Sequence, residues 1–171
     1  RLMLAKYPAR SAEKRPDPVV YLAGGPGDIV PLEVNGFIAA DFIRDRDILV
    51  MSQRGTMFSE PALTCAASDH FSRELLGLRF YSGATKRAHL AATEACHRDL
   101  AATGADLSAY NSTESAADLA DLRKVLGYVT WNVYGTSYGS YLAQTLMRGH
   151  PEGIRSVVLD SVLPTTYNVA A

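Results

Sequence analysis

Cysteine is scarce in this chain: 171 residues contain two, Cys65 and Cys96. Two are too few for a disulfide-dense miniprotein, and these lie too far apart for a paired zinc knuckle. CxxC, HExxH and GxxxxGK[ST] are all missing, so the common local signatures of redox, zinc-hydrolase and P-loop chemistry are absent. The four histidines, His70, His89, His97 and His150, show no metal-ligand spacing, and Cys96 and His97, as chain neighbours, are poorly placed to share an ion. No metal and no cofactor is expected. An excess of one charge is also lacking: 17 Lys and Arg stand against 18 Asp and Glu, a formal net charge of −1. Such a balance offers no general attraction for nucleic acid or an anionic membrane. No apolar run approaches the roughly 20 residues of a membrane-spanning helix. No signal-peptide pattern opens the chain, which starts at Arg1-Leu2-Met3-Leu4 without an initiator Met, as a trimmed product would. Internal repeats and low-complexity tracts are absent too.

What is present is an ordinary globular composition, 47% apolar and 20% charged, in a chain long enough to bury one good core. Four short apolar runs end in turn residues. Val19-Val20-Tyr21-Leu22 runs into Gly24-Gly25-Pro26-Gly27, and Asp47 to Met51 runs into Gln53-Arg54-Gly55. Asn132-Val133-Tyr134 ends at Gly135, and Ser156 to Leu159 ends at Asp160. Continuous apolar runs without alternation predict strands covered on both faces, as in a parallel sheet. Helical spacing lies between them. Ala116, Leu119, Leu122 and Leu126 share one face of a helix from about Ser112 to Leu126, with Asn111, Ser112 or Thr113 as cap, Glu114 in the first turn, Lys124 in the last and Gly127 as stop. A second helix is predicted from about Thr85 to Ala102, and a third from the 135–139 turn to His150-Pro151. Residues 56–84 fit neither template and read as an irregular excursion. The alternation predicts an α/β fold with a mostly parallel, doubly wound sheet.

One motif carries chemistry. Tyr134-Gly135-Thr136-Ser137-Tyr138-Gly139-Ser140 contains G-x-S-x-G, and an apolar strand precedes it while a helix-forming stretch, Tyr141 to Met147, follows. The five-residue pattern alone is common. Between a strand and a helix it sets a serine on a tight, strained turn, with the hydroxyl clear of the sheet. Side chains at Gly135 and Gly139 would collide where strand and helix nearly touch, and the helix N-terminus favours developing negative charge. Acyl transfer on Ser137 also needs amide donors for an oxyanion. The N–H of Tyr138 is one candidate, and the second is expected from a glycine-rich loop after an earlier strand. Ala23-Gly24-Gly25-Pro26-Gly27 stands there, its glycines allowing close approach of backbone and its proline stiffening the loop.

These residues resemble the α/β-hydrolases of the proline iminopeptidase and tripeptidyl aminopeptidase group. Tyr21 to Gly27 matches the GGPG loop of that group, and Gln53-Arg54-Gly55-Thr56 with Ser59 and Pro61 resembles its D-x-RG-x-G-x-S element. Ala117-Asp118-Leu119, Leu122-Arg123 and Leu126-Gly127 resemble the helix before the elbow, Tyr134 to Gly139 the elbow itself, and His150-Pro151 with Val157 to Asp160 the next helix end and strand. The likeness runs over nearly the whole chain. It implies an α/β-hydrolase fold, Ser137 as nucleophile and the amides of Gly25 and Tyr138 as oxyanion donors. Gly24, Pro26, Gly27, Gly135 and Gly139 would support that geometry, and Arg54 would brace the loops by hydrogen bonds. Two departures, Ser52 in place of an acid and Met57 in place of a glycine, lie beside the site and bear on loop geometry and substrate fit. In exported members of the group, cysteines near the places of Cys65 and Cys96 pair. A bond closing a loop of about 31 residues would contribute roughly 3–4 kcal/mol and imply a periplasmic or extracellular protein. Two free thiols would instead fit the cytoplasm.

The rest of a catalytic triad is not found here. In this fold the chain order is Ser, then Asp or Glu, then His. After Ser137 the acids are Glu152 and Asp160 and the histidine is His150, which precedes both and lies roughly 20 Å of helix from Ser137. Asp160 reads as a structural end to its strand. The chain is therefore expected to be the N-terminal half of a hydrolase. Its acid, its histidine and a cap recognising a free amino terminus would be supplied by the same precursor or by a second polypeptide. The expected function is release of N-terminal residues from peptides through an acyl-enzyme on Ser137. Alternatives are an esterase or amidase on small acyl substrates, and a non-catalytic hydrolase fold used for binding.

Overall fold

The computed structural model describes residues 1–27 and 43–166. Its strands are β1 (Leu4–Tyr7), β2 (Val19–Leu22), β3 (Ile48–Met51), β4 (Trp131–Thr136) and β5 (Ile154–Asp160), and its helices are α1 (Ala66–Glu74), α2 (Gly83–Ala102), α3 (Ser112–Val125) and α4 (Tyr138–Gly149). The chain divides into two compact units, one formed by Arg1–Ala62 with Asn111–Ala171, the other by Leu63–Tyr110.

The first unit is built on one sheet in the order β1-β3-β2-β4-β5. Strands β3, β2, β4 and β5 run parallel, while β1 lies antiparallel to β3 with Leu4 opposite Met51. Every residue of β2 and β3 is buried, as their unbroken apolar runs require. On one face Val20, Leu22, Leu49, Met51, Trp131 and Val133 pack with Ala116 and Leu119 of α3 and with Leu142, Ala143 and Leu146 of α4. Removing a leucine of that kind from water is worth about 1.5–3 kcal/mol. The other face gathers Val19, Tyr21, Ile48 and Val50 with Ile43. Helix α3 is capped as its sequence predicts: Asn111 accepts the N–H of Glu114 at 2.9 Å, Lys124 lies in the last turn and Gly127 takes φ 72°.

At the N-terminal ends of the parallel strands two buried carboxylates are closed into networks. Asp17 accepts Asn132 Nδ2 at 2.7 Å, Arg155 Nη1 at 3.0 Å and Arg46 Nε at 3.2 Å. Asp47 accepts the N–H of Ala9 at 3.0 Å and lies against the ammonium groups of Lys14 and Lys6. Burial pushes the Asp47 carboxyl up, but the Lys14 bond, the Ala9 amide and Lys6 outweigh it and hold the pKa at about 2.

The second unit pairs α1 with α2. The Cys65–Cys96 disulfide spans a Cα–Cα distance of 5.6 Å, and Phe71 stacks on His89 at 5.2 Å. The stretch 56–84, expected to be irregular, therefore contains a helix of nine residues, α1, followed by a turn of 3-10 helix at Leu75–Gly77. Helix α1 buries no residue and has no side-chain cap, so the start signal that would mark it in sequence is missing. Helix α2 begins at Gly83, slightly ahead of the predicted Thr85, because Ser82 caps it by accepting the N–H of Thr85 at 3.1 Å. Among the described residues no helix is long and apolar enough to cross a membrane.

Candidate active site

The bend between β4 and α4 holds Ser137 at φ 54° and ψ −120°, a conformation that L-residues avoid. Holding a residue there costs about 1–3 kcal/mol, so its surroundings must fix it. Those bonds are visible. The N–H of Ser137 donates to the carbonyl of Asp160 at 2.9 Å, anchoring the bend to the end of β5. The Ser137 carbonyl accepts both the N–H of Ser140 at 2.9 Å and its hydroxyl at 2.6 Å. Ser140, fully buried, also accepts the N–H of Leu163 at 2.8 Å. The Ser137 residue itself stays exposed.

Both glycines of the motif are sterically required. A Cβ on Gly135 would sit 2.7 Å from the carbonyl carbon of Gly139 and 2.9 Å from the nitrogen of Ser140. A Cβ on Gly139 would fall on the carbonyl oxygen of Leu22 and 2.6 Å from its carbon. The start of α4 is thus pressed against the end of β2, where Leu22 pairs with Gly135 in the sheet. From that point Ala23 and Gly24 remain buried and Gly25, Pro26 and Gly27 emerge into solvent. Gly25 and Gly27 both take φ 97°, where a side chain would be strained, and the Gly25–Pro26 peptide is cis. The structure therefore brings the predicted loop and the predicted serine to the C-terminal ends of neighbouring strands. The N–H of Tyr138, in the first turn of α4, has no intrahelical acceptor.

Side chains around the bend lock it in place. The Tyr138 hydroxyl lies 2.7 Å from Ser112 Oγ at the start of α3, and its ring stacks on Tyr141 at 5.9 Å. Burial pushes the Tyr138 hydroxyl pKa up, and the Ser112 bond partly offsets that. Arg54 holds Asp118 of α3 through two bonds of 2.8 Å, with Glu114 at 3.5 Å. The pair is a bidentate tie between the loop after β3 and a helix. Ser52 is buried and donates its N–H to the carbonyl of Met3, while Met57 is 59% exposed. At the end of β5 the Tyr134 hydroxyl donates to Asp160 Oδ2 at 3.0 Å. Burial first, then the Asp160 carboxylate, raises the Tyr134 pKa. His150 follows α4, a helix of 12 residues that separates it from Ser137. Among the described residues no group of three or more His, Cys, Asp or Glu is arranged to hold a metal ion.

Several supporting residues were not singled out from sequence. Ser140 belongs to the quoted motif run, yet nothing in a lone serine announces that its hydroxyl will bond two backbone groups, the Ser137 carbonyl and the Leu163 N–H. Asp118 lies in the helix that resembles its family counterpart, and pairing it with Arg54 needs a contact across 64 residues. Ser112 was legible as a helix-start residue, and its bond to Tyr138 was not.

The family model described as the alpha/beta hydrolase fold matches residues 17–170, and the chain belongs to that family. It is 27% identical over 146 residues to a proline iminopeptidase of Neisseria gonorrhoeae, covering 85% of this chain and 32% of the relative. The chain thus spans about a third of the length of the curated relative it matches. The crystal structure of a proline iminopeptidase from Mycobacterium smegmatis superposes with a TM-score of 0.57 at 16% identity, over 91% of this chain and 38% of that one. An esterase from Exiguobacterium antarcticum superposes with a TM-score of 0.53 at 14% identity, over 92% and 40%. At these identities the two structures establish the shared fold.

Proposed function

We propose that this chain is the N-terminal part of the catalytic domain of a serine hydrolase that releases N-terminal residues from peptides. The observation that carries the reading is the exposed, positive-φ Ser137, standing beside a glycine-rich loop at the same end of the sheet. The sequence likeness to a proline iminopeptidase supports the peptide substrate.

In this reading Ser137 Oγ attacks the carbonyl carbon of the N-terminal residue while a histidine takes its proton. The amides of Gly25 and Tyr138 bond the oxygen that becomes negative. Collapse of the tetrahedral species expels the amine, which takes the proton back, and leaves an ester on Ser137. Water then hydrolyses that ester by the same steps. Strain at Ser137 and the two steric glycines serve this chemistry by fixing the hydroxyl before substrate arrives. The histidine, its orienting acid and a cap over the site belong to the remaining two-thirds of the whole protein. The Cys65–Cys96 bond supports an exported protein folded in an oxidising compartment. Peptide mapping of the native protein with and without reductant tests that: a linked Cys65–Cys96 peptide is expected, and two free thiols would contradict it.

The substrate test compares prolyl and tripeptidyl amides with simple aryl esters on the full-length protein, alongside Ser137→Ala. Turnover of amides bearing a free N-terminus is expected, with a loss of at least about 10⁴-fold in the variant. Turnover of aryl esters alone would make it an esterase. Undiminished turnover by Ser137→Ala would remove the serine mechanism.

A further inference from the structure

Helix α4 carries a row of polar side chains along the face that meets the chain leaving β5. Ser140, Gln144 and Arg148 stand four residues apart, each about 40° round the helix from the one before. All three bond the segment that follows Asp160. Ser140 Oγ accepts the N–H of Leu163 at 2.8 Å, Gln144 Nε2 donates to the Leu163 carbonyl at 2.8 Å, and Arg148 Nη2 donates to Thr165 Oγ1 at 3.0 Å. The N–H and the carbonyl of Leu163 are thus both held by side chains, as a neighbouring strand would hold them. Gln144 Nε2 also donates to the Ser140 carbonyl at 3.0 Å, which ties the two clamping residues together. The clamped segment begins with Ser161 at φ 54°, a left-handed conformation that its surroundings must hold. Ser140 reaches the candidate nucleophile as well, its hydroxyl donating to the Ser137 carbonyl at 2.6 Å. A hydroxyl has one proton to give, and because Leu163 supplies its own N–H, that proton is left for Ser137. A single fully buried Oγ therefore joins the strained bend to the chain after β5. Thr145, one residue beyond Gln144, shows the ordinary case, a hydroxyl bonded back to the Tyr141 carbonyl at 3.0 Å.

We propose that Ser140 and Gln144 are positioning residues for the reaction at Ser137: by clamping Leu163 they seat the segment after β5, and that seating keeps the nucleophile in its strained conformation. This rests on the serine-hydrolase reading above and deepens it. Ser137 is held on both sides, its N–H by the Asp160 carbonyl and its carbonyl by Ser140. Both bonds lead into residues 160–163, so the bend and the segment stand or shift together. When Leu163 is released, Ser140 Oγ loses the donor that fixes its rotation, and the Asp160 carbonyl is no longer held in register with the Ser137 amide. A residue in a disfavoured conformation relaxes once its restraints go, and the hydroxyl then leaves the position from which it attacks. Neither side chain is placed against the substrate. The loss therefore falls on the chemical step, read in kcat, and not on KM.

The test uses the full-length protein and reads two rates, the second-order labelling of Ser137 by a fluorophosphonate and the turnover of amide substrates. Ser140→Ala should slow labelling and lower kcat by about 10- to 100-fold, with KM changed by less than about 3-fold. Gln144→Met keeps the volume of the side chain and removes its donors, and should slow labelling by about 3- to 10-fold through Leu163 alone. The double variant should fall little below Ser140→Ala, because the two side chains act on one segment. Thr145→Val removes a hydroxyl bond of the same helix that does not reach the segment, and should stay within about 2-fold of the wild type. Thermal unfolding identifies any variant that fails to fold, and Gln144→Met carries the test where Ser140→Ala does. Folded Ser140→Ala that labels at the wild-type rate overturns the proposal. So does Gln144→Met at the wild-type rate, or a Thr145→Val loss as large as that of Gln144→Met. In each of these cases a wild type that labels at Ser137 keeps the serine-hydrolase reading, whereas a wild type that does not label there removes both.

Discussion

The two ends of the same parallel sheet are built on opposite principles. At the N-terminal ends Asp17 and Asp47 are buried, and each is matched by two cations and further donors. At the C-terminal ends Ser137 and Asp160 are exposed, the serine is held in a disfavoured conformation, and the carboxylate accepts the hydroxyls of Tyr134 and Ser161. One end spends its polar groups on closing the fold, and the other leaves them facing solvent over a rigid base. In open α/β sheets ligands bind outside the carboxyl ends of the strands, and the contrast follows that rule residue by residue.

Two substitutions in the full-length protein sharpen the comparison. The larger effect is expected at the C-terminal end, where Gly139→Ala drives a methyl into the Leu22 carbonyl. A loss of about 3 kcal/mol in urea unfolding is expected, because backbone rather than a flexible side chain must move. Gly149→Ala, in the last turn of the same helix, meets nothing within 4 Å and should change stability by less than about 1 kcal/mol. Equal effects at the two positions would show that the bend is not pressed on β2. The smaller effect is at the other end. The folded pKa of Asp47, about 2, lies below the ordinary 3.8, so its pairing adds stability above about pH 4 and loses it as the pH falls toward 2. Asp47→Asn should therefore cost about 2 kcal/mol at neutral pH and flatten the fall in stability between about pH 4 and 2. Stability that falls as steeply in the variant as in the wild type would show that the network does not carry it.

The sequence was most readable where local pattern and tertiary burial agree. Strands β2 and β3 are continuous apolar runs that the sheet buries completely, and α3 carries its own cap and stop. Strand β1 was not read: Leu4–Tyr7 contains Lys6, is only partly buried, and exists because it pairs with β3 far along the chain. Helix α1 buries nothing and is tied to α2 by a disulfide and by the Phe71–His89 stack, contacts that periodicity does not encode. At the candidate site the glycines, Ser137 and the loop were legible because sterics and chemistry restrict those positions to a few residue types. The partners of Arg54, Tyr138 and Ser140 were not, since many polar residues could serve and contacts across the fold choose among them. In the sequence Asp160 reads as a strand end. It does end β5, and its carbonyl also anchors the strained serine.

The most direct measurement is mass spectrometry of the full-length protein after treatment with a fluorophosphonate. A stoichiometric adduct on the peptide containing Ser137, absent together with turnover in Ser137→Ala, is the predicted result. An adduct on another serine, or hydrolysis that survives the substitution, would contradict the account.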